Sequence, residues 1–208
     1  MHEKFENVQP LYTMDRDKSN TPKKENTILA SLHDLVFLIS GVLLIFSLLF
    51  RVVVVSGPSM NDTLVNGDWL FLVGNVLYDE PKTGDIIVAS KDSFDNGAPI
   101  IKRVIATQGQ EVDIDFSEGV VYVDGLALSE DYTLTPTTLF EGIDFPLTVD
   151  DGCVFVMGDN RNNSKDSRSP EIGLIDTREI LGRAVFLILP GNGDGNAERE
   201  FSRIGVLS

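Results

Sequence analysis

One long apolar run near the start of the chain stands out from the hydrophobic pattern. Residues 28–50 are largely apolar, and His33 and Asp34 are the ionisable exceptions close to its beginning. This length reaches the roughly 20 residues that a helix needs to cross a bilayer core. A buried core helix is one alternative, but the run is apolar on every face. A cleaved signal peptide is another, but the polar leader is too long for one. We therefore interpret residues 28–50 as a transmembrane anchor that follows a polar, mostly disordered tail at residues 1–27.

Beyond the anchor, short apolar and β-branched runs alternate with turn signals rich in Gly, Pro, Asn and Asp, a pattern typical of β-strands. The predicted strands are residues 52–55, 69–73, 85–89, 100–106, 111–115, 120–123, 153–157 and 184–189. A capping pattern predicts one short helical turn at residues 176–179. Residues 51–208 are therefore predicted to form a mainly β domain of antiparallel sheets, with a loop-rich insertion at about residues 109–150.

The distribution of basic residues predicts how the anchor is oriented. Lys18, Lys23 and Lys24 precede the apolar run, whereas Arg51 alone follows it closely. Cytoplasmic flanks carry the excess of Lys and Arg. We therefore expect the tail in the cytoplasm and residues 51–208 outside it.

Composition narrows the possible chemistry of the β domain. The net charge of the 208-residue chain is -15, which disfavours nucleic acid as a partner because phosphate binding needs Lys and Arg. His2 and His33 both precede or lie within the anchor, so the β domain contains no histidine. This excludes a Ser-His-Asp triad, a Cys-His dyad and a His-ligated zinc site there. Cys153 is the one cysteine, so an intrachain disulfide is also excluded. We expect no metal and no cofactor.

Ser59 and Lys102 are the candidate reactive residues of the β domain. Ser59 lies in a Gly-Pro turn soon after the anchor, where an ordinary turn serine is also common. Lys102 lies inside a predicted strand, between Ile100 and Val104 on one face. Such a lysine is either an edge charge that prevents aggregation or a desolvated amine. Desolvation lowers a lysine pKa by up to roughly 3–5 units, which would let the amine accept a serine proton.

Four segments of the chain carry a recognisable combined pattern. They are residues 57–68 (GPSMNDTLVNGD), 84–88 (GDIIV), 101–104 (IKRV) and 158–168 (GDNRNNSKDSR). In this order and after an anchor, they resemble the bacterial type I signal peptidases, which are membrane-bound serine proteases with a Ser-Lys dyad, in a Gram-positive-like form. Asn61-Asp62 stands where the family usually has proline before the threonine, and we expect a local change in the turn there.

The resemblance implies a role for each matching residue. Ser59 is the expected nucleophile and Lys102 the expected general base. Ser164 is similar to the family serine whose hydroxyl orients the lysine amine. Three charged residues are expected to brace the lysine strand: Arg103, Asp166 and Arg168.

The resemblance also implies how a substrate binds. The oxyanion hole would use the backbone N–H of Ser59. Some family members have a serine at the position of Gly57, and its hydroxyl contributes to the hole. Glycine has no hydroxyl, so here a backbone N–H or water would complete the hole. Met60, Leu64 and Ile101 are expected to line pockets that accept small side chains.

These expectations describe a membrane-anchored serine endopeptidase that cleaves signal peptides from exported preproteins. Its expected location is the cell membrane, with the catalytic domain outside the cytoplasm. Its expected partners are the lipid bilayer and preproteins with small residues before the cleavage site. An inert anchored β domain that binds exported peptides is the main alternative. A soluble Ser-Lys self-cleaving repressor is disfavoured by the anchor and by the absence of a DNA-binding module.

Overall fold

The computed structural model describes residues 24–61, 63–193, 195 and 198–207. The chain divides into two compact units, Met1–Val42 and Leu43–Ser208. Most of the predicted tail, residues 1–23, lies outside the described residues.

The apolar run predicted from the sequence is helical. Helix α1 extends over Lys24–Leu49, and its apolar part, Ile28–Leu49, has a mean hydropathy of 2.3. None of this 22-residue part is buried against protein, which is the exposure that a lipid-facing helix shows. The helix is therefore long and apolar enough to cross a membrane.

Short strands form nearly all of the regular structure after the helix. Their bounds are β1 Phe50–Val54, β2 Trp69–Gly74, β3 Ile86–Ser90, β4 Pro99–Thr107, β5 Glu111–Asp115, β6 Val120–Val123, β7 Leu126–Ala127, β8 Leu147–Thr148, β9 Cys153–Met157, β10 Ile175–Asp176, β11 Ile180–Leu189 and β12 Gly205–Val206. A 3₁₀ turn at Thr177–Glu179 carries the predicted capping box, in which Asp176 and Glu179 bond each other's backbone N–H groups.

The described strands form two antiparallel sheets. The larger sheet has the order β1-β2-β11-β3-β4-β9-β10, with β12 paired to β11. The smaller sheet has the order β7-β6-β5-β8 and occupies most of the predicted insertion. The predicted mainly β fold with one N-terminal apolar helix is therefore confirmed.

Three buried apolar clusters stabilise the sheets, and two of them matter for the site. One packs the smaller sheet, through Val112 and Val121, against Ile105 and Phe155 of the larger sheet. The other lies beneath β2 and β3 and includes Leu70, Leu72, Ile86 and Val88. Both clusters are fully apolar, so burial of apolar area is the main force that fixes β4 between them.

The sequence missed the short strands β7, β8, β10 and β12, and it placed the start of β11 too late. The four short strands have two residues each, too few for an alternating pattern. The first half of β11 contains Gly182 and Arg183, which weaken its apolar pattern, yet it pairs with both β2 and β3. Tertiary pairing overrides local preference at these positions.

Candidate active site

The loop between β1 and β2, residues 55–68, is called the serine loop here because it carries Ser59. Its two ends are joined by the Val55 N–H to Asp68 C=O bond (2.8 Å) and the Gly67 N–H to Val55 C=O bond (2.9 Å). Met60 and Leu64 are 1% and 0% exposed and pack into the cluster beneath β2 and β3. The residue next to Ser59 is thus fixed in the core, which fixes the position of the serine itself.

Ser59 and Lys102 are brought into direct contact, although they are far apart in sequence. The Lys102 Nζ lies 2.8 Å from the Ser59 Oγ and also donates to the Ile101 carbonyl at 3.0 Å. Lys102 lies on β4, which pairs with β3 on one side and β9 on the other. It is therefore on an interior strand, which rules out the edge-charge alternative considered from the sequence.

Burial changes the acid–base behaviour of the Lys102 amine. The side chain is 5% exposed, and burial lowers the pKa of Lys102 to about 8. The carboxylates of Asp166, Glu141 and Asp159 act in the opposite direction and keep the pKa from falling further. Near pH 8, a large fraction of the molecules therefore has a neutral Lys102 amine, whose lone pair lies beside the Ser59 hydroxyl.

Asp166 and Arg168 form a fully buried ion pair close to this amine. The Arg168 Nε donates to one Asp166 oxygen at 2.8 Å, and a terminal nitrogen donates to the other at 2.8 Å. Arg168 also bonds the carbonyls of Leu139 and Arg161. Because both charges are paired and hydrogen-bonded, the pair fixes the segment that follows β9.

Ser164 and Gly158 lie where this segment touches the serine loop. The Gly158 N–H donates to Asp166 at 3.0 Å, and a Cβ at Gly158 would overlap both the Ser164 Oγ and the Ser59 carbonyl oxygen. The Ser164 Oγ is buried, and within the described residues it has no hydrogen-bond partner. The hydroxyl is thus close to the serine loop but does not bond the Lys102 amine in this structure.

The predicted brace at Arg103 is a second buried ion pair. Its guanidinium makes two 2.9 Å bonds to the two Asp159 oxygens and one to the Gly84 carbonyl. The guanidinium carbon also lies 4.0 Å from the centre of the Tyr132 ring. The residue after Lys102 is therefore tied to the segment that carries Ser164.

Arg161 links the insertion to the site, a contact that the sequence did not predict. It is 0% exposed and donates to the two Glu130 oxygens at 2.7 and 2.5 Å, and to Thr137 at 3.0 Å. Arg161 lies within the recognised motif. Glu130 gives no local signal, because the sequence alone does not distinguish an exposed glutamate from one that pairs with a buried arginine.

The nucleophile's own loop defines the oxyanion region. Gly57 has a φ of +90° and open space at its Cβ position, and its N–H donates to the Asn66 side chain at 3.2 Å. Asn160 holds the neighbouring backbone by donating to the carbonyls of Pro58 (3.0 Å) and Ser59 (3.1 Å). The Gly57 N–H is thus already occupied by Asn66 in this structure.

A largely apolar cavity of about 560 Å³ lies beside Ser59 and Lys102. It is bordered by residues 53–56 on one side and residues 98–102 on the other, with Met60 between them. Met60 and Ile101 line it as expected, whereas Leu64 is absent from its lining and is fully buried in the core. The expectation that Leu64 contacts substrate is therefore corrected, because its side chain supports the loop from below.

Arg203, which follows β11 in the chain, secures the end of the serine loop, and no pattern in the sequence indicated this contact. Arg203 donates to both oxygens of the fully buried Asp68, at 3.0 and 2.6 Å, and to the Thr63 carbonyl at 3.1 Å. Asp68 also accepts from the N–H groups of Val65 and Gly191. This long-range pair joins the chain end to the loop that carries Ser59.

The arrangement provides a serine hydroxyl, an adjacent amine of lowered pKa and a cavity beside both. These are the components of nucleophilic acyl transfer with a lysine base. Within the part of the chain that the structure describes, no group of three or more His, Cys, Asp or Glu side chains is placed to hold a metal ion.

Proteins that are similar to this chain in sequence are named as signal peptidases. The family profile described as "Signal peptidase, peptidase S26" matches residues 28–189. The "Probable signal peptidase I-1" of Synechocystis sp. is 40% identical over 73% of this chain and 80% of its own length. Signal peptidase I of Bacillus licheniformis is 33% identical over 86% of this chain and 97% of its own length. A crystal structure of a signal peptidase I from Enterococcus faecalis V583 is 31% identical, covering 50% of this chain and 97% of that one, with a TM-score of 0.42.

Gly158→Ala tests whether the close approach of Gly158 to Ser59 and Ser164 positions the catalytic groups. The added methyl group would displace Ser59 or Ser164, and a displacement of about 1 Å can cost on the order of 100-fold in rate. We expect a loss of that size in kcat/KM, measured with a cleavable peptide. Gly205→Ala, where the Cβ meets open space, is the matched control and should keep wild-type activity. Full activity of the Gly158 variant would contradict the assigned packing.

Proposed function

The chain belongs to the S26 family of signal peptidases, and from this we propose that it is a membrane-anchored serine endopeptidase that removes signal peptides from exported preproteins. The observation that carries the proposal is the 2.8 Å contact between the Ser59 hydroxyl and the buried Lys102 amine. An inert peptide-binding domain would gain nothing from burying a lysine against a serine, so that alternative is not favoured.

The proposed reaction begins with proton transfer within this pair. Neutral Lys102 accepts the Ser59 proton while the Ser59 Oγ attacks the scissile carbonyl. The backbone N–H of Ser59 stabilises the oxyanion that forms. Lys102 then gives its proton to the leaving amine, the C–N bond breaks, and an ester joins Ser59 to the signal peptide. A water that loses its proton to Lys102 hydrolyses this ester and restores both residues.

The other predicted site residues act on this pair through geometry and charge. Arg103 and Arg168 are paired with Asp159 and Asp166, so each arginine braces the site together with a carboxylate that offsets its charge. Ser164 is positioned beside the serine loop, and we assign it the task of bonding the amine during the reaction, when the Lys102 contact to Ser59 changes. The Ser164 hydroxyl has no hydrogen-bond partner among the residues that the structure describes, which supports this assignment.

The cavity beside the pair supports selection of small residues before the scissile bond. A signal peptide could extend between residues 53–55 and 99–101, which border the cavity from β1 and β4, as an added strand. Met60 and Ile101 would then limit the size of alternate side chains.

The anchor supports action at the membrane. The lysines that precede the apolar part of α1 support a cytoplasmic N-terminus, and with it a catalytic unit outside the cytoplasm and lipid around the apolar helix.

Substitution of the two reactive residues tests the proposed function. Ser59→Ala and Lys102→Ala should each lose preprotein cleavage, measured by gel shift with the full chain in detergent. Lys102→Arg should also be inactive, because a guanidinium does not lose its proton near neutral pH. Lys82→Ala, at an exposed turn, is the matched control and should remain active. Retention of full activity by Ser59→Ala or Lys102→Ala would overturn the mechanism.

The pH dependence of cleavage tests the state of the base. Only neutral Lys102 accepts the proton, and burial lowers its pKa to about 8. We expect kcat/KM to rise about tenfold per pH unit below pH 8 and to level off above it. A profile that continues to rise toward pH 10 would show an amine with the ordinary lysine pKa and would contradict the mechanism.

A further inference from the structure

A second cavity borders the serine loop and shares no lining residue with the apolar cavity. The loop divides its residues between the two: Ser56, Ser59 and Met60 line the apolar cavity, whereas Gly57, Pro58 and Asn61 line the second one. The second cavity measures about 540 Å³. Four asparagines contribute to its lining, and it is called the amide cavity here: Asn61, Asn66, Asn160 and Asn163.

We propose that the amide cavity binds the first residues after the scissile bond, the new N-terminus of the exported protein, and favours neutral hydrogen-bonding side chains there. This inference rests on the proposed function. It assigns to the substrate's leaving half a site distinct from the apolar cavity that receives the signal peptide.

The position of the amide cavity follows from the direction in which the leaving amine departs. That amine receives its proton from Lys102, so the leaving chain begins at the Ser59–Lys102 pair, near the Gly158–Ser164 segment that contacts Ser59. Asn163 directly precedes Ser164. Asn160 bonds the carbonyls of Pro58 and Ser59 themselves. Both asparagines line the amide cavity, so a peptide leaving the reactive pair along this segment enters it.

The lining determines the chemistry of the occupant. The other lining residues are Gly57, Pro58, Val65 and Gly193, so no charged side chain is among the described residues that form the cavity. Amide groups both donate and accept hydrogen bonds, which suits peptide N–H and C=O groups and short polar side chains. A charged residue would find no counter-charge among these side chains, and a large apolar residue would cover polar groups without offering them a hydrogen bond.

The inference is tested by the ratio of kcat/KM values for matched peptides. Three peptides share one sequence before the scissile bond and carry Ser-Gln, Ala-Ala or Leu-Leu directly after it. For the wild-type chain we expect kcat/KM for Ser-Gln to exceed that for Leu-Leu by about three- to tenfold, the gain from one or two neutral hydrogen bonds. In Asn163→Ala this ratio should fall toward one. Asn61→Ala should lower it independently.

The control is an asparagine outside the cavity. Asn75 is exposed and lines a different cavity beside Tyr78, so Asn75→Ala should keep the wild-type ratio. A wild-type ratio near one, or an unchanged ratio in both cavity variants, overturns the inference while cleavage of the Ala-Ala peptide still supports the proposed function. Failure of the wild-type chain to cleave any of the three peptides would overturn the proposed function and this inference with it.

Discussion

The structure depends on keeping one lysine amine out of water and against a serine hydroxyl. Burial of Lys102 lowers its pKa from 10.5 to about 8, which corresponds to a cost of about 3 kcal/mol for the charged form. The rest of the domain must offset this cost, because a typical domain is stable by only about 5–15 kcal/mol in total. A fold that tolerates the cost obtains a base without a histidine, which explains how a histidine-free domain can carry out acyl transfer.

The charged side chains around the Lys102 amine pair with one another, and these pairs fix the geometry around the amine. Arg103 and Arg168 are as buried as the lysine, but each is paired through two hydrogen bonds to a carboxylate. Buried pairs of this kind contribute little net stability, and their role here is to fix geometry. Through Glu130 and Arg161 the network extends into the loop between β7 and β8, so the insertion helps to hold the segment that contains Ser164.

Local patterns predicted the parts of the molecule that local patterns determine. The apolar run predicted the helix, and the alternating runs predicted the longer strands and the mainly β class. A separate capping pattern predicted the turn that carries the capping box. Lys102 was a candidate because two β-branched neighbours share its strand face. The resemblance to a family then selected Ser59 as its partner, a contact that spacing alone does not give.

What the sequence missed depends on contacts between distant segments. Arg203 and Asp68 are separated by most of the domain, and nothing near either residue indicates that they pair. Leu64 was expected in a substrate pocket, but the backbone bond from its N–H to the Met60 carbonyl turns the loop so that Leu64 enters the core. The occupied Gly57 N–H likewise depends on Asn66, whose side chain orientation only the folded loop defines.

The central claim is that the Lys102 amine is desolvated in the folded protein, and nuclear magnetic resonance tests it most directly. The full chain is labelled with ¹³C- and ¹⁵N-lysine, and the Lys102 signal is identified by its loss in Lys102→Arg. Titration of that signal should give a midpoint at about pH 8. A midpoint near 10.5, the value of a solvated lysine, would contradict the claim and remove the base from the mechanism.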